Sequence, residues 1–94
     1  MKRFKLMADV FAGGLWDGAM AITLEDVICR DEPDLKQELE AWQKRYDMQY
    51  DEHTYEFDWD GFNLEGMKLL EKIKAKAPAD VEIFYQPVDD REFL

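Results

Sequence analysis

The segment PDLKQELEAWQKRYDMQY, Pro33 to Tyr50, decides the fold. Within it Leu35, Leu39, Trp42, Tyr46 and Tyr50 recur at spacings of four, three, four and four. That spacing draws one apolar stripe along a helix, with Lys36, Glu40 and Lys44 on the opposite side. Glu40 four residues before Lys44 is the favourable order for a helical ion pair, worth ~0.3 kcal/mol. The start is equally legible. Asp31-Glu32-Pro33-Asp34 puts acids in the first turn, where the helix dipole favours them. Proline is tolerated there because the N–H it lacks has no partner in a helix's first turn. A stripe of this kind is read as core rather than as a cofactor face.

Downstream of the stripe lies a run without Lys or Arg. From Asp47 to Glu65 it holds seven carboxylates, Asp47, Asp51, Glu52, Glu56, Asp58, Asp60 and Glu65, threaded with Tyr50, Tyr55, Phe57, Trp59 and Phe62. Within it Tyr55, Phe57 and Trp59 alternate with Glu56 and Asp58, so Thr54 to Trp59 can be read as a strand. A second helix follows, with Asp60 or Asn63 as cap. Phe62, Gly66, Leu69, Leu70, Ile73 and Ala77 lie on its inner side, with Met67 flanking, and Lys68, Lys72 and Lys76 on its outer side. Gly66 costs ~1 kcal/mol there relative to Ala, so a close approach of another backbone is expected to account for it. Pro78 ends the helix. Val81, Ile83 and Tyr85 then alternate with Glu82, Phe84 and Gln86 as a closing strand.

Upstream, Phe4, Leu6, Ala8 and Val10 alternate with Lys5, Met7 and Asp9, so Arg3 to Val10 reads as a strand. Gly13-Gly14 breaks it. Trp16 sits in the glycine-rich stretch that follows and is read as folding back as a core plug. Ala19 to Val27 supports two readings. Thr23-Leu24-Glu25-Asp26 has the form of a helix capping box, while Ala21 to Thr23 can run extended. The architecture expected is α+β: a small sheet of two to three strands, the N-terminal and C-terminal strands together, packed on two amphipathic helices.

Ninety-four residues make a single domain, 1–94. The 47% hydrophobic content argues for a folded chain despite a net charge of −10. That charge disfavours nucleic acid and anionic membrane as ligands, since both repel it, and suits a basic protein partner or a cation. Cys29 is the sole cysteine, so no internal disulfide forms and a cysteine-built zinc site is excluded. Lys5 and Asp9 interrupt any signal-peptide core, and no apolar run approaches a membrane span, so a cytoplasmic protein is expected.

Few catalytic chemistries fit. The chain has no serine, which removes serine nucleophiles. A Cys–His pair would need Cys29 with His53, the only residues of their types. Cys29 is read as a small apolar filler, and His53 as a surface group whose charged form Asp51 and Glu52 favour. No glycine-rich phosphate loop occurs. Glu56-Phe57-Asp58-Trp59-Asp60-Gly61 resembles the opening of an EF-hand calcium loop, but its twelfth position is Met67, where a bidentate Glu is required.

Several segments together resemble a known group. They are RFKLMADV (3–10), LWDG (15–18), LKQELEAWQKRYD (35–47), FNLEGMKLLEKIK (62–74) and VEIFY (81–85). The series resembles small acidic bacterial proteins of polymorphic toxin loci, immunity proteins of contact-dependent growth inhibition among them. The resemblance implies an α+β fold and a protein that binds a toxin. It rests on core and turn residues, namely Leu15-Trp16, Leu39, Trp42, Tyr46, Asp47, Phe62, Gly66 and the closing strand, and it assigns no binding residue.

The leading expectation is therefore a non-enzymatic protein, without cofactor, that neutralises a basic, nuclease-like toxin domain by covering its active site. A nuclease cleft is positive because it holds phosphates, and an acidic surface mimics them. The partner-binding residues expected are Asp51, Glu52, Tyr55, Glu56, Asp58, Trp59 and Asp60. In that set the aromatics are anchors and the carboxylates steer. The competing reading of Tyr55, Phe57 and Trp59 is burial in the core. The alternatives are a calcium-binding domain using Glu56, Asp58 and Asp60, or a protein-interaction module of another kind.

Overall fold

The computed structural model of the chain describes residues 2–9, 12–52 and 58–87, with the side chains of residues 49–52 left outside the description. Strand β1, Lys2–Leu6, alternates as its sequence predicts: Phe4 and Leu6 are buried, and Arg3 is exposed. The strand ends at Leu6, short of the predicted Val10. Ala8 is still buried, and Val10 lies outside the described residues.

Two three-residue strands follow, β2 (Leu15–Asp17) and β3 (Met20–Ile22). They form a hairpin in which Asp17 pairs with Met20. The loop is Gly18-Ala19, and Gly18 has φ +60°, the sense that the first position of a type II′ hairpin turn demands. Trp16 is thus a strand residue, only half-buried, whose indole Nε1 donates to the Met7 carbonyl at 2.9 Å. It corrects the expectation of a core plug in a loop. Helix α1, Leu24–Ile28, begins directly after β3. Both readings of Ala19 to Val27 are therefore realised in succession. Thr23 Oγ1 accepts from the Asp26 amide at 3.2 Å, and Asp26 Oδ2 accepts from the Thr23 amide at 3.0 Å. The bond from the Thr23 amide, with a smaller contribution from the Thr23 hydroxyl, stabilises the ionised carboxyl and holds Asp26 below its usual pKa. Cys29 closes α1 in the left-handed region at φ 60°, and it is exposed rather than the apolar filler expected.

Helix α2, Pro33–Glu52, starts with proline in its first helical position, and the Glu32 carbonyl accepts from the Lys36 amide at 2.9 Å. Leu35, Leu39 and Trp42 of the stripe are buried, and Tyr46 packs against the core. Helix α3, Trp59–Lys76, buries Trp59, Phe62, Gly66, Leu69, Leu70 and Ile73. The Trp42 indole stacks on the Phe62 ring at 4.8 Å and 7°, and its Nε1 donates to the Phe62 carbonyl at 3.1 Å. This pair joins the two helices with both ring contact and hydrogen bond, about 1 kcal/mol for the stacking beyond area burial.

Strand β4, Val81–Tyr85, closes the sheet in the order β3-β2-β1-β4. β4 runs parallel to β1, with Phe4 opposite Ile83 and Leu6 opposite Tyr85, while β1–β2 and β2–β3 are antiparallel. A parallel partner needs a crossover, and the three helices supply it. The fold class is α+β as expected, with four strands and three helices among the described residues in place of two to three strands and two helices. The additional elements are β2, β3 and α1, each too short to show a periodicity.

Gly66 has a different explanation from the one expected. A Cβ there would lie 2.5 Å from Tyr85 Cε2, so an aromatic ring of β4 rather than a backbone occupies the space. The Tyr85 hydroxyl donates to Asn63 Oδ1 at 2.5 Å, and burial pushes its pKa up to about 12. Among the described residues Gln43 is the buried polar one. Its Nε2 donates to the Asp9 carbonyl at 2.6 Å and to Asp47 Oδ1 at 3.1 Å, tying the loop after β1 to α2.

Candidate interaction surface

The acidic run divides by element. Asp51 and Glu52 form the C-terminal end of α2, and Asp58 to Glu65 belong to the start of α3. Tyr55 and Glu56 fall outside the described residues, as do His53 and Phe57.

Asp58, rather than Asp60 or Asn63, caps α3. Its Oδ1 accepts from the Gly61 amide at 2.9 Å, and its carbonyl accepts from the Phe62 amide at 3.0 Å. A Cβ on Gly61 would run into the Asp58 carboxylate, so the glycine makes room for this cap. Asp60 is exposed in the first turn, where the positive helix end favours it. Two of the expected partner-binding carboxylates thus already stabilise a helix.

Trp59 is 8% exposed and belongs to the core. Its ring meets Tyr46 at 6.2 Å and Phe62 at 6.1 Å, both edge-on. Of its two readings, exposed anchor and core, the structure displays the core. The strand expected over Thr54 to Trp59 does not include Asp58, the cap of α3, or Trp59, its first residue, and Thr54 to Phe57 lie outside the described residues. The signal for this was present in the sequence: Trp59, Phe62, Gly66, Leu69, Leu70 and Ile73 continue one helical stripe backward by a turn.

The two long helices differ in how they treat their own dipoles. α3 has Asp60 in its first turn and Lys74 and Lys76 in its last, as the macrodipole prefers. α2 has Asp34 in its first turn but no cation in its last, which instead ends on Asp51-Glu52. Those two acids stand where the partial negative charge of the helix end opposes them. Asp47, one turn earlier, is engaged with Gln43. Along the helix pair, Arg45 bridges to Glu65, and Lys72 bridges to Glu38 at 2.8 Å. All four groups are about half exposed, so these bridges contribute at most about 1 kcal/mol each. They flank a groove of about 270 Å³ floored by Ala41, Trp42 and Leu69.

The calcium reading loses its geometry. Asp60 and Gly61 are helical, whereas an EF-hand needs them in an extended loop, and the Asp58 carboxylate is occupied as a cap. Among the described residues no group of three potential metal ligands is assembled. Nor, among them, is any helix long and apolar enough to cross a membrane.

A surface that the expected site set omits lies on the sheet. Trp16, Lys5 and Phe84 stand in one row on the face turned away from the helices. The Gly18 turn signal between Leu15-Trp16-Asp17 and Met20-Ala21-Ile22 is what could have revealed it.

Comparison with curated proteins gives no match. A family model described as Serratia CdiI immunity protein-like matches residues 2–88, from the start of β1 to beyond the end of β4. The match takes in every element of the fold, and the chain belongs to the Serratia CdiI immunity protein-like family.

Proposed function

We propose that the protein neutralises a basic, nuclease-like toxin domain in the cytoplasm, binding it without catalysis and covering its active site. Membership of an immunity protein-like family supports a toxin-binding role. The observation that carries the choice of surface is the end of α2. The last turn of α2 carries Asp51 and Glu52 and no cation, an arrangement that the helix dipole opposes. A partner that brings positive charge to this end relieves that opposition on binding. Asp58 and Asp60 extend the same acidic tip from the start of α3. Tyr55 and Glu56, between the two helices in sequence, complete the proposed surface, with Tyr55 as the aromatic anchor. Trp59 supports the tip from inside, as the core residue beneath it.

A positive cleft shaped for phosphates attracts this tip, and electrostatic steering raises the association rate by ~10-fold or more at low salt. The test measures the affinity of wild type and of D51K/E52K/D60K for the toxin domain against which the wild-type chain protects cells. The triple charge reversal is expected to weaken binding by ~100-fold or more and to abolish protection of cells that make the toxin. Unchanged affinity would remove the acidic tip as the interface.

A further inference from the structure

The sheet has two outer strands, β3 and β4, and they are protected unequally. β3 has three residues and is the second arm of a hairpin, so little of its backbone is left open. β4 has five residues and pairs with β1 without a bulge. Edge strands are usually blunted by lysine, proline, a bulge or an inward-pointing charge. β4, with the sequence VEIFY, has none of these. Its charged residue, Glu82, is exposed on the side opposite the buried Ile83. The ladder also fixes which backbone groups are open. The Asp80 carbonyl accepts from the Lys2 amide at 3.0 Å, and the Gln86 amide donates to the Leu6 carbonyl at 2.9 Å. In this parallel register Glu82 and Phe84 turn their N–H and C=O toward β1. Ile83 and Tyr85 point theirs outward, and among the described residues no strand receives them.

α3 overhangs this edge. Its residues Glu65 and Lys72 reach Arg45 and Glu38 of α2, while Gly66 and Asn63 meet Tyr85 of β4. Those contacts fix how the helix is turned. Its flank away from α2 is left to Asp60, Leu64, Met67 and Glu71, spaced as i, i+4, i+7 and i+11 along one stripe. Leu64 and Met67 are exposed although large and apolar. Glu71 lies 4.0 Å from Lys74, and Asp60 is the exposed acid of the first turn. Open backbone groups thus run beside a flank that is apolar in its middle and acidic toward the start of α3.

We propose that β4 takes an added strand from the basic toxin domain. The outward N–H and C=O groups of Ile83 and Tyr85 bond its backbone, as in other cases where a partner extends a sheet. Alternate side chains of the added strand face the helix side, where apolar ones cover Met67 and Leu64. A Lys or Arg at the Tyr85 end meets Asp60. Charge selects this occupant over a second copy. Two β4 edges laid together would bring Asp60, Glu71 and Glu82 near their own counterparts, in chains that each carry a net charge of −10. A basic strand meets the same acids as opposite charges. The inference rests on the toxin reading, and it extends the proposed surface from the start of α3 along β4.

Amide hydrogen exchange tests it, followed by NMR on the full chain alone and with the toxin domain against which it protects cells. In the free protein the Ile83 and Tyr85 amides are expected to exchange at least ~100-fold faster than those of Glu82 and Phe84, which β1 holds. With toxin bound, the two outward amides are expected to slow by ~100-fold or more. L64K/M67K puts cations on the flank and is expected to weaken toxin binding by ~10-fold or more, with circular dichroism unchanged. Outward amides that are already slow in the free monomer overturn the proposal, because the chain then covers its own edge. Amides that slow with protein concentration alone also overturn it, by assigning the edge to a second copy. A toxin complex that leaves both amides fast, or L64K/M67K of unchanged affinity, overturns it as well. The acidic tip fails separately: binding that survives D51K/E52K/D60K while the Ile83 and Tyr85 amides slow would remove the tip and keep the edge.

Discussion

Gly66 sits in mid-α3 with the Tyr85 ring where a side chain would be. Its lack of a Cβ is what lets α3 and β4 approach. Gly66→Ala improves helix propensity by ~1 kcal/mol but forces the ring, held by its bond to Asn63, out of place. Overpacking of this kind costs about 1–3 kcal/mol, so a net loss of stability is expected in urea denaturation. The double variant with Tyr85→Val should recover the helix gain, and the coupling between the two sites measures the clash. A Gly66→Ala protein more stable than wild type would show that the ring moves aside without cost. The glycine itself was legible in the sequence as a helical residue needing a close neighbour. Its neighbour was not, because nothing local to Gly66 points to a tyrosine nineteen positions later. Trp59 is the opposite case. The alternation of Tyr55, Phe57 and Trp59 imitates a strand, and the stripe of α3 was the stronger periodicity.

At the scale of elements, long periodic segments read correctly, while the short ones were legible only in the capping box of α1 and as an open alternative around Ala21. α2, α3, β1 and β4 follow from their apolar spacing. β2 and β3 have three residues each, so pairing with β1 makes them strands, and no pattern of their own could announce it. The acidic tip was visible as composition, but its division among helix end, cap and core depends on where α2 stops and α3 starts. That division carries a prediction for α2 alone. D51K/E52K replaces two acids at a negative helix end with cations, and is expected to stabilise the free protein by about 0.5–1 kcal/mol in chemical denaturation. The same substitutions are expected to weaken toxin capture. Gain of stability with loss of binding is the signature of charges kept for a partner. A destabilised D51K/E52K would mean that these acids have a structural role within the fold.

Across the whole molecule, 22 acids stand against 12 bases, and the stretch from Asp47 to Glu65 holds none of the Lys or Arg. Elsewhere cations offset acids, as Lys74 and Lys76 at the end of α3 do with Glu71 and Glu32. A basic partner is drawn by this net charge. The association rate with a toxin is therefore expected to fall roughly 10-fold or more between low and physiological salt, with the dissociation rate changing far less. Stopped-flow mixing at several salt concentrations measures both. An association rate indifferent to salt would mean that the net charge plays no part in encounter.

The parallel pairing of β1 with β4 also bears on when the protein becomes competent. β1 is an interior strand of the sheet, yet one of its two neighbours is made almost a whole chain later. On the ribosome, the β1–β2–β3 meander and all three helices emerge before Val81–Tyr85 does. Until then β1 keeps a raw edge, and Gly66 faces a void where Tyr85 will sit. A competent fold thus waits for β4, and a ribosome stalled a few codons before Val81 would leave an unfinished sheet.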